Sequence, residues 1–135
     1  SDAVKAGDWG RIETLCHEAR LLSLGFSLLH VGINPQCECC ALDEARMFAA
    51  MLGMPFKEGN SSAFVGKSFE FMKAQGRGEK GHIAIETLSV ERALEWFSGF
   101  GIGVVEETIK RKDGHITVAY LDREVAGFAV HLNRK

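Results

Sequence analysis

Apolar residues recur along this chain in two rhythms, a spacing of three to four and a strict alternation, and the switches between them divide it into elements. From Gly7 to Gly25 the spacing is helical, with Asp8 placed to cap the start, Ile12, Leu15, Ala19 and Leu22 on one face, and Gly25 at the stop. Such a helix needs a partner surface. Phe26 to Ile33 alternates as a strand and Asn34-Pro35 ends it, after which Leu42, Ala45, Phe48, Ala49 and Leu52 form a helical stripe closed by Gly53. Three short strands follow, Phe56 to Glu58, Ser62 to Val65 and Phe69 to Met72. Ala74 to Gly81, rich in glycine and alternating charge, reads as a linker.

Beyond that linker the same order returns. Gly81-His82-Ile83-Ala84-Ile85 repeats the strand around His30-Val31-Gly32-Ile33, Ser89 caps a helix bearing Ala93, Leu94, Phe97 and Phe100, and Gly101 stops it. Strands are expected around Val104 to Ile109, Ile116 to Leu121 and Phe128 to Leu132, the first two joined through a Lys112-Asp113-Gly114 turn. Gly66-Lys67-Ser68-Phe69-Glu70-Phe71 also aligns without a gap on Gly127-Phe128-Ala129-Val130-His131-Leu132. The expectation is an α+β fold: an N-terminal helix over 1–27, then one domain over 28–135. Its two βαβββ halves, 28–73 and 81–133, form a curved mixed sheet around a cavity with the helices on the convex face.

Strand parity then selects four polar residues. Leu29, Val31 and Ile33 should face the helices, which turns His30, Gly32 and Asn34 to the other side; Ile83 and Ile85 do the same for His82, Ala84 and Glu86. In the closing strands Phe69 and Phe71 turn Glu70 away from the helices, and Val130 and Leu132 turn His131 away. A lone histidine on a strand is usually just hydrogen-bonded or solvated. Four polar residues at equivalent points of a repeat, beside the small Gly32, Ala84 and Ala129, point instead to a ligand cavity or a metal. Three imidazoles and a carboxylate suit Zn, Ni, Co, Mn or Fe rather than Ca or Mg, and the set does not choose among the five. His17 and His115, on a helix and a hairpin, are not expected to take part.

Composition narrows the classes. The chain has 135 residues with 16 basic and 18 acidic side chains, so no nucleic-acid footprint is visible and a small ligand is the better fit. No apolar run is long enough to cross a bilayer and no signal-peptide pattern opens the chain, which implies no membrane and a cytoplasmic protein. Cys16, Cys37, Cys39 and Cys40 are read as reduced thiols. A soft-metal site at Cys37, Cys39 and Cys40 would lack a second pair downstream.

From about Leu28 to Asn133 these features resemble the vicinal oxygen chelate superfamily, which includes glyoxalases, bleomycin-resistance proteins and extradiol dioxygenases. The resemblance implies metal ligands on the first and last strands of each half, the positions of His30, Glu70, His82 and His131. Glyoxalases commonly carry Glu where this chain has His131, and there that carboxylate can also serve as base. A second resemblance, carried by Ala6-Gly7-Asp8-Trp9, Ile12 and His17-Glu18-Ala19-Arg20, is to the final helix of bacterial 2-keto-3-deoxy-6-phosphogluconate / 4-hydroxy-2-oxoglutarate aldolases. Some of these look as if they carry a similar extension, with counterparts of His30 to Asn34, Lys57 to Ser62 and Gly81 to Ile85. That implies the C-terminal domain of an aldolase-type protein; 135 residues filled by this repeat leave no room for the aldolase barrel.

The leading functional expectation is a metal-dependent lyase or isomerase acting on a small 2-oxo or 2-hydroxy acid, with Glu86 as the base; a solvated rim carboxylate is the plainer reading of Glu86. The first alternative is a non-catalytic metal or ligand-binding module attached to an aldolase domain. A metal-free drug-sequestering protein ranks last, because it needs an aromatic-lined cavity and few aromatics are expected to face this one. A homodimer is compatible with each.

Overall fold

The computed structural model describes residues 2–37 and 40–135. A short helix α1 (Asp2–Ala6) and a longer α2 (Trp9–Leu24) precede β1 (Ser27–Ile33), α3 (Ala41–Leu52), β2 (Phe56–Glu58), β3 (Ser62–Val65) and β4 (Phe69–Met72). The second half repeats the order as β5 (Gly81–Thr87), α4 (Val90–Ser98), β6 (Val104–Lys112), β7 (His115–Leu121) and β8 (Phe128–Arg134). All eight strands form one sheet in the order β2-β3-β4-β1-β5-β8-β7-β6. In each half the first strand runs parallel to the last, and the halves join within one chain where β1 lies antiparallel to β5. No helix among the described residues is long and apolar enough to cross a membrane.

Each half has its own core under its own helix. Ala45 and Ala49 of α3 close onto Ala63, Val65 and Phe71, with Phe48 and Phe69 edge to face beside them. Val90 and Ala93 of α4 close onto Ala119, Leu121 and Leu132. Alanines at the contacts let helix and sheet approach closely, and the aromatic rings fill the remaining width. Phe69 stands opposite Val31, Val31 opposite Ile83 and Ile83 opposite Val130, so both helices cover the same face and the expected register holds across the seam.

Several local expectations need correction. Leu29 does not pack beneath a helix: a β-bulge between Leu28 and His30 takes it out of the alternation, and it lines a groove with Phe64 on the other side. Leu52 and Phe100 lie at the helix ends, 45% and 62% exposed, outside the stripes expected to bury them. On α2, Asp8 caps the start and Gly25 the end as expected, yet Leu15, Ala19 and Leu22 are exposed. The helix touches the domain through His17 and Arg20 on Trp96, through Ser23, which accepts from Arg92, and through the buried Leu24. The segment expected to be a linker is tied down, because Asn34 Nδ2 donates to the Gly78 carbonyl at 2.7 Å and its Oδ1 accepts from the Gly76 N–H at 2.9 Å.

The cysteines are not all thiols. Cys37 and Cys40 form a disulfide just ahead of α3, whereas Cys16 is free and exposed. A turn in which the Cys40 N–H donates to the Cys37 carbonyl brings their Cα atoms to 5.4 Å, within the span a disulfide can bridge. Cys39 lies outside the described residues. The same pairing removes two of the three thiols a soft-metal site there would need.

Candidate metal centre

Two neighbouring rows of side chains cross the face of the sheet away from the helices. In one, Phe64 stands opposite Glu70, Glu70 opposite Gly32, Gly32 opposite His82 and His82 opposite Ala129. In the other, His30 stands opposite Ala84, Ala84 opposite His131 and His131 opposite Tyr120. Parity thus places all four expected residues on this face. Gly32 has a specific task in the first row: a Cβ there would fall inside the His82 ring, so the glycine provides the space that ring occupies.

The donor atoms converge. His30 Nε2 and His82 Nε2 are 3.1 Å apart, and each lies beside the same carboxylate oxygen, Glu70 Oε2, at 3.1 and 3.2 Å respectively. The other oxygen, Oε1, accepts from the Ser62 hydroxyl at 2.6 Å, which fixes the carboxylate's rotation. The His30 and His82 contacts hold the Glu70 carboxyl well below the usual carboxylate range, against the opposing effect of burial. His131 completes a trio with His30 and His82 whose ligand atoms all lie within 4.8 Å of one another, close enough to bind a metal ion. It is 6% exposed; neither ring nitrogen meets a partner in hydrogen-bond geometry among the described residues, although the Asn133 side chain, its Oδ1 likewise unpaired, stands near enough to favour the charged ring. Burial first, then the neighbouring His82 and His30, pushes its pKa down to about 4, so the ring is a neutral base at pH 7 with a lone pair to offer.

Hydrogen bonding alone fits this geometry poorly. A neutral imidazole carries one N–H, so two Nε2 atoms and an oxygen, all mutually near 3.1 Å, cannot all be joined by donors facing acceptors. A divalent cation would satisfy all three at once, since each atom would then direct a lone pair at it rather than at another lone pair. Buried polar atoms without partners, such as both nitrogens of His131, are costly unless something coordinates them.

Glu86 lies one row further along, opposite Asn133 on β8 and Ser27 on β1, and accepts from the Ser27 hydroxyl at 3.5 Å. It makes no hydrogen bond to the histidines among the described residues. His17 packs on Trp96 and His115 pairs with Glu91 at 3.7 Å, so both stay away from the cluster. Three neighbours of the site escaped the sequence reading. Ser62 orients Glu70, Phe64 stands edge-on to His30 at 5.9 Å, and Tyr120 stacks on His131 at 4.6 Å. Two aromatic side chains thus border the cluster. Their signal was present, since Phe64 sits between the buried Ala63 and Val65, and Tyr120 between Ala119 and Leu121.

Fold and site together define a class: an α+β protein of two βαβββ halves whose sheet carries a histidine cluster able to hold a metal ion. No family model and no curated protein matches the chain. Among solved structures it is similar to a hypothetical protein from Bacillus halodurans C-125, with a TM-score of 0.57 and 20% identity over 82% of this chain and 94% of that one. At that identity the likeness concerns the fold.

Proposed function

We propose that this protein is a metal-dependent lyase or isomerase of glyoxalase type, a vicinal oxygen chelate domain acting on a 2-oxo or 2-hydroxy acid. Two neighbouring substrate oxygens would join His30, Glu70, His82 and His131 around one divalent ion: Zn, Ni, Co, Mn or Fe. The supporting observation is the convergence of two imidazole nitrogens and one carboxylate oxygen at 3.1–3.2 Å, beside the unpartnered, buried His131. Such an ion supplies Lewis-acid polarisation of a bound oxygen. The protein's own part is to orient and to exclude water. Ser62 leaves one Glu70 oxygen free for the ion, Gly32 sets the His82 ring, and Tyr120 shields His131. Glu86, on the same face one row away, would take the proton from the substrate carbon next to the polarised carbonyl, the C–H electron pair passing into that carbonyl.

A second reading, a non-catalytic metal or ligand-binding module, is favoured by the contact of Glu86 with Ser27 and by His131 standing where glyoxalases carry a base. Deuterium exchange from solvent into C3 of 2-oxobutyrate separates the two, since a binding module catalyses none. For either reading we assign the exposed Trp9 and Leu22 of α2 to contact with an aldolase domain. The test of the metal site is a zinc titration by calorimetry. Wild type should bind about one ion per chain, His82→Ala should lose at least about a hundredfold in affinity, and His17→Ala should not change. Equal affinity in the wild type and both variants would defeat the proposal.

A further inference from the structure

Phe64 belongs both to the metal centre and to a groove beside it. Its ring stands edge-on to His30 and also lines a groove of about 670 Å³ with Leu29, Lys57, Gly59, Gly66 and Lys67. Lys57 stands opposite Phe64 on the neighbouring strand, in the same cross-strand row as Glu70, so the groove continues the histidine face towards the edge of the sheet. The bulge that turns Leu29 out of the helix-side core gives the groove its second apolar wall. Its glycines bring backbone rather than side chain to the rim.

Arg46 and Lys73 pair with Glu58, Arg77 with Glu107 and Arg134 with Glu91. Most of the other basic side chains make no ion pair among the described residues; of these, Lys57 and Lys67 both border this one groove. The cleft on the opposite flank, beside Tyr120, is only about 190 Å³, and its cation, Arg77, is already committed to Glu107 and to the Tyr120 ring. A three-carbon oxo acid would occupy a small fraction of the larger groove, whose size is typical of ligand sites.

We infer that this groove is the tail subsite of the metal centre, taking an apolar chain or ring of several carbons that ends in an anion held by Lys57 and Lys67. This rests on the metal-centred reading above and deepens it: the substrate is a 2-oxo or 2-hydroxy acid extended by an apolar segment with a second, distal negative charge. The apolar segment supplies most of the affinity, about threefold to fourfold per buried methylene. The exposed lysines add selectivity for the distal charge rather than a large energy.

The test compares three probes, pyruvate, 2-oxooctanoate and 2-oxooctanedioate, on zinc-loaded protein by calorimetry. Octanoate and octanedioate are titrated against zinc-free protein by NMR. Affinity should rise from pyruvate to the eight-carbon acids, and the diacid should bind at least about fivefold tighter than the monoacid. Without zinc, the dianion should still shift the Gly59, Phe64 and Gly66 signals. Lys57→Gln/Lys67→Gln should abolish the diacid preference in both experiments, leave 2-oxooctanoate binding in place and leave zinc affinity unchanged. A diacid preference that survives the double substitution, or eight-carbon probes that do not perturb the groove, would overturn the tail subsite while the metal site stands. Groove binding without zinc binding would keep the subsite and defeat the metal reading instead.

Discussion

Gly32 controls the site by having no side chain. Its Cβ position coincides with the His82 ring, and its backbone is ordinary extended strand, so substitution meets a packing obstacle rather than a conformational one. Gly32→Ala should therefore keep the far-ultraviolet circular dichroism of the wild type while lowering zinc affinity by about a hundredfold or more, as expected when a ligand is moved off its axis. Unchanged zinc affinity would show that the ring has somewhere else to go. That the four polar residues share one face was legible because each has at least one apolar neighbour facing the helices, Val31 for His30, Phe69 and Phe71 for Glu70, Ile83 for His82, and Val130 and Leu132 for His131, and parity does the rest. Leu29 was not, since a bulge inserts one residue and flips the side without a mark in the sequence. The same parity places Phe64 and Tyr120 on this face, but their size and apolar rings made them look like core beside Ala63, Val65, Ala119 and Leu121.

At the scale of elements, Glu91 shows how a helix is fastened to the sheet. Its carboxylate, in the first turn of α4, accepts from the Ile116 N–H at 2.6 Å and the Ser89 hydroxyl at 2.9 Å and pairs with Arg134 at 3.4 Å, joining α4 to β7 and β8. Burial pushes its pKa up, but these donors and the Arg134 charge outweigh burial and hold it down at about 2. A folded-state pKa below the unfolded value of 4.5 means stability present above pH 4.5 and lost as pH falls towards 2. With 36% of the side chain exposed, the contribution is about 1 kcal/mol after screening. Urea unfolding at pH 7 should show Glu91→Gln less stable by roughly that amount, with the difference gone near pH 2. A difference that persists there would assign the effect to packing. Element positions followed well from periodicity, including the hairpin where Asp113 and Gly114 both take positive φ, at 50° and 81°. The Cys37–Cys40 pairing did not follow, because closeness in sequence does not say that a turn will bring the two Cα atoms into range.

For the whole molecule, the internal repeat made the two halves visible, but not their closure within one chain, because pairing β1 with β5 joins strands about fifty residues apart and the same apolar pattern would serve an exchange between two chains. The α2 helix was legible as a helix whose apolar face wants a partner surface: that side is exposed, and His17, Arg20 and Leu24 make the contacts with the domain. Few buried contacts mean a low local opening energy. Amide hydrogen exchange in dilute protein should therefore show residues 9–20 exchanging far faster than β5 and β8. Equal protection would mean the helix is covered.

The account depends most on one claim, that the two halves of this sheet bring three imidazoles and a carboxylate to a single ion. X-ray absorption at the metal edge of zinc-loaded protein measures this directly. The account predicts a shell of nitrogen and oxygen at about 2.0–2.2 Å with the outer-ring scattering of three imidazoles, reduced to two in His131→Ala. One imidazole or none in the wild type, or a sulfur shell near about 2.3 Å, would contradict it.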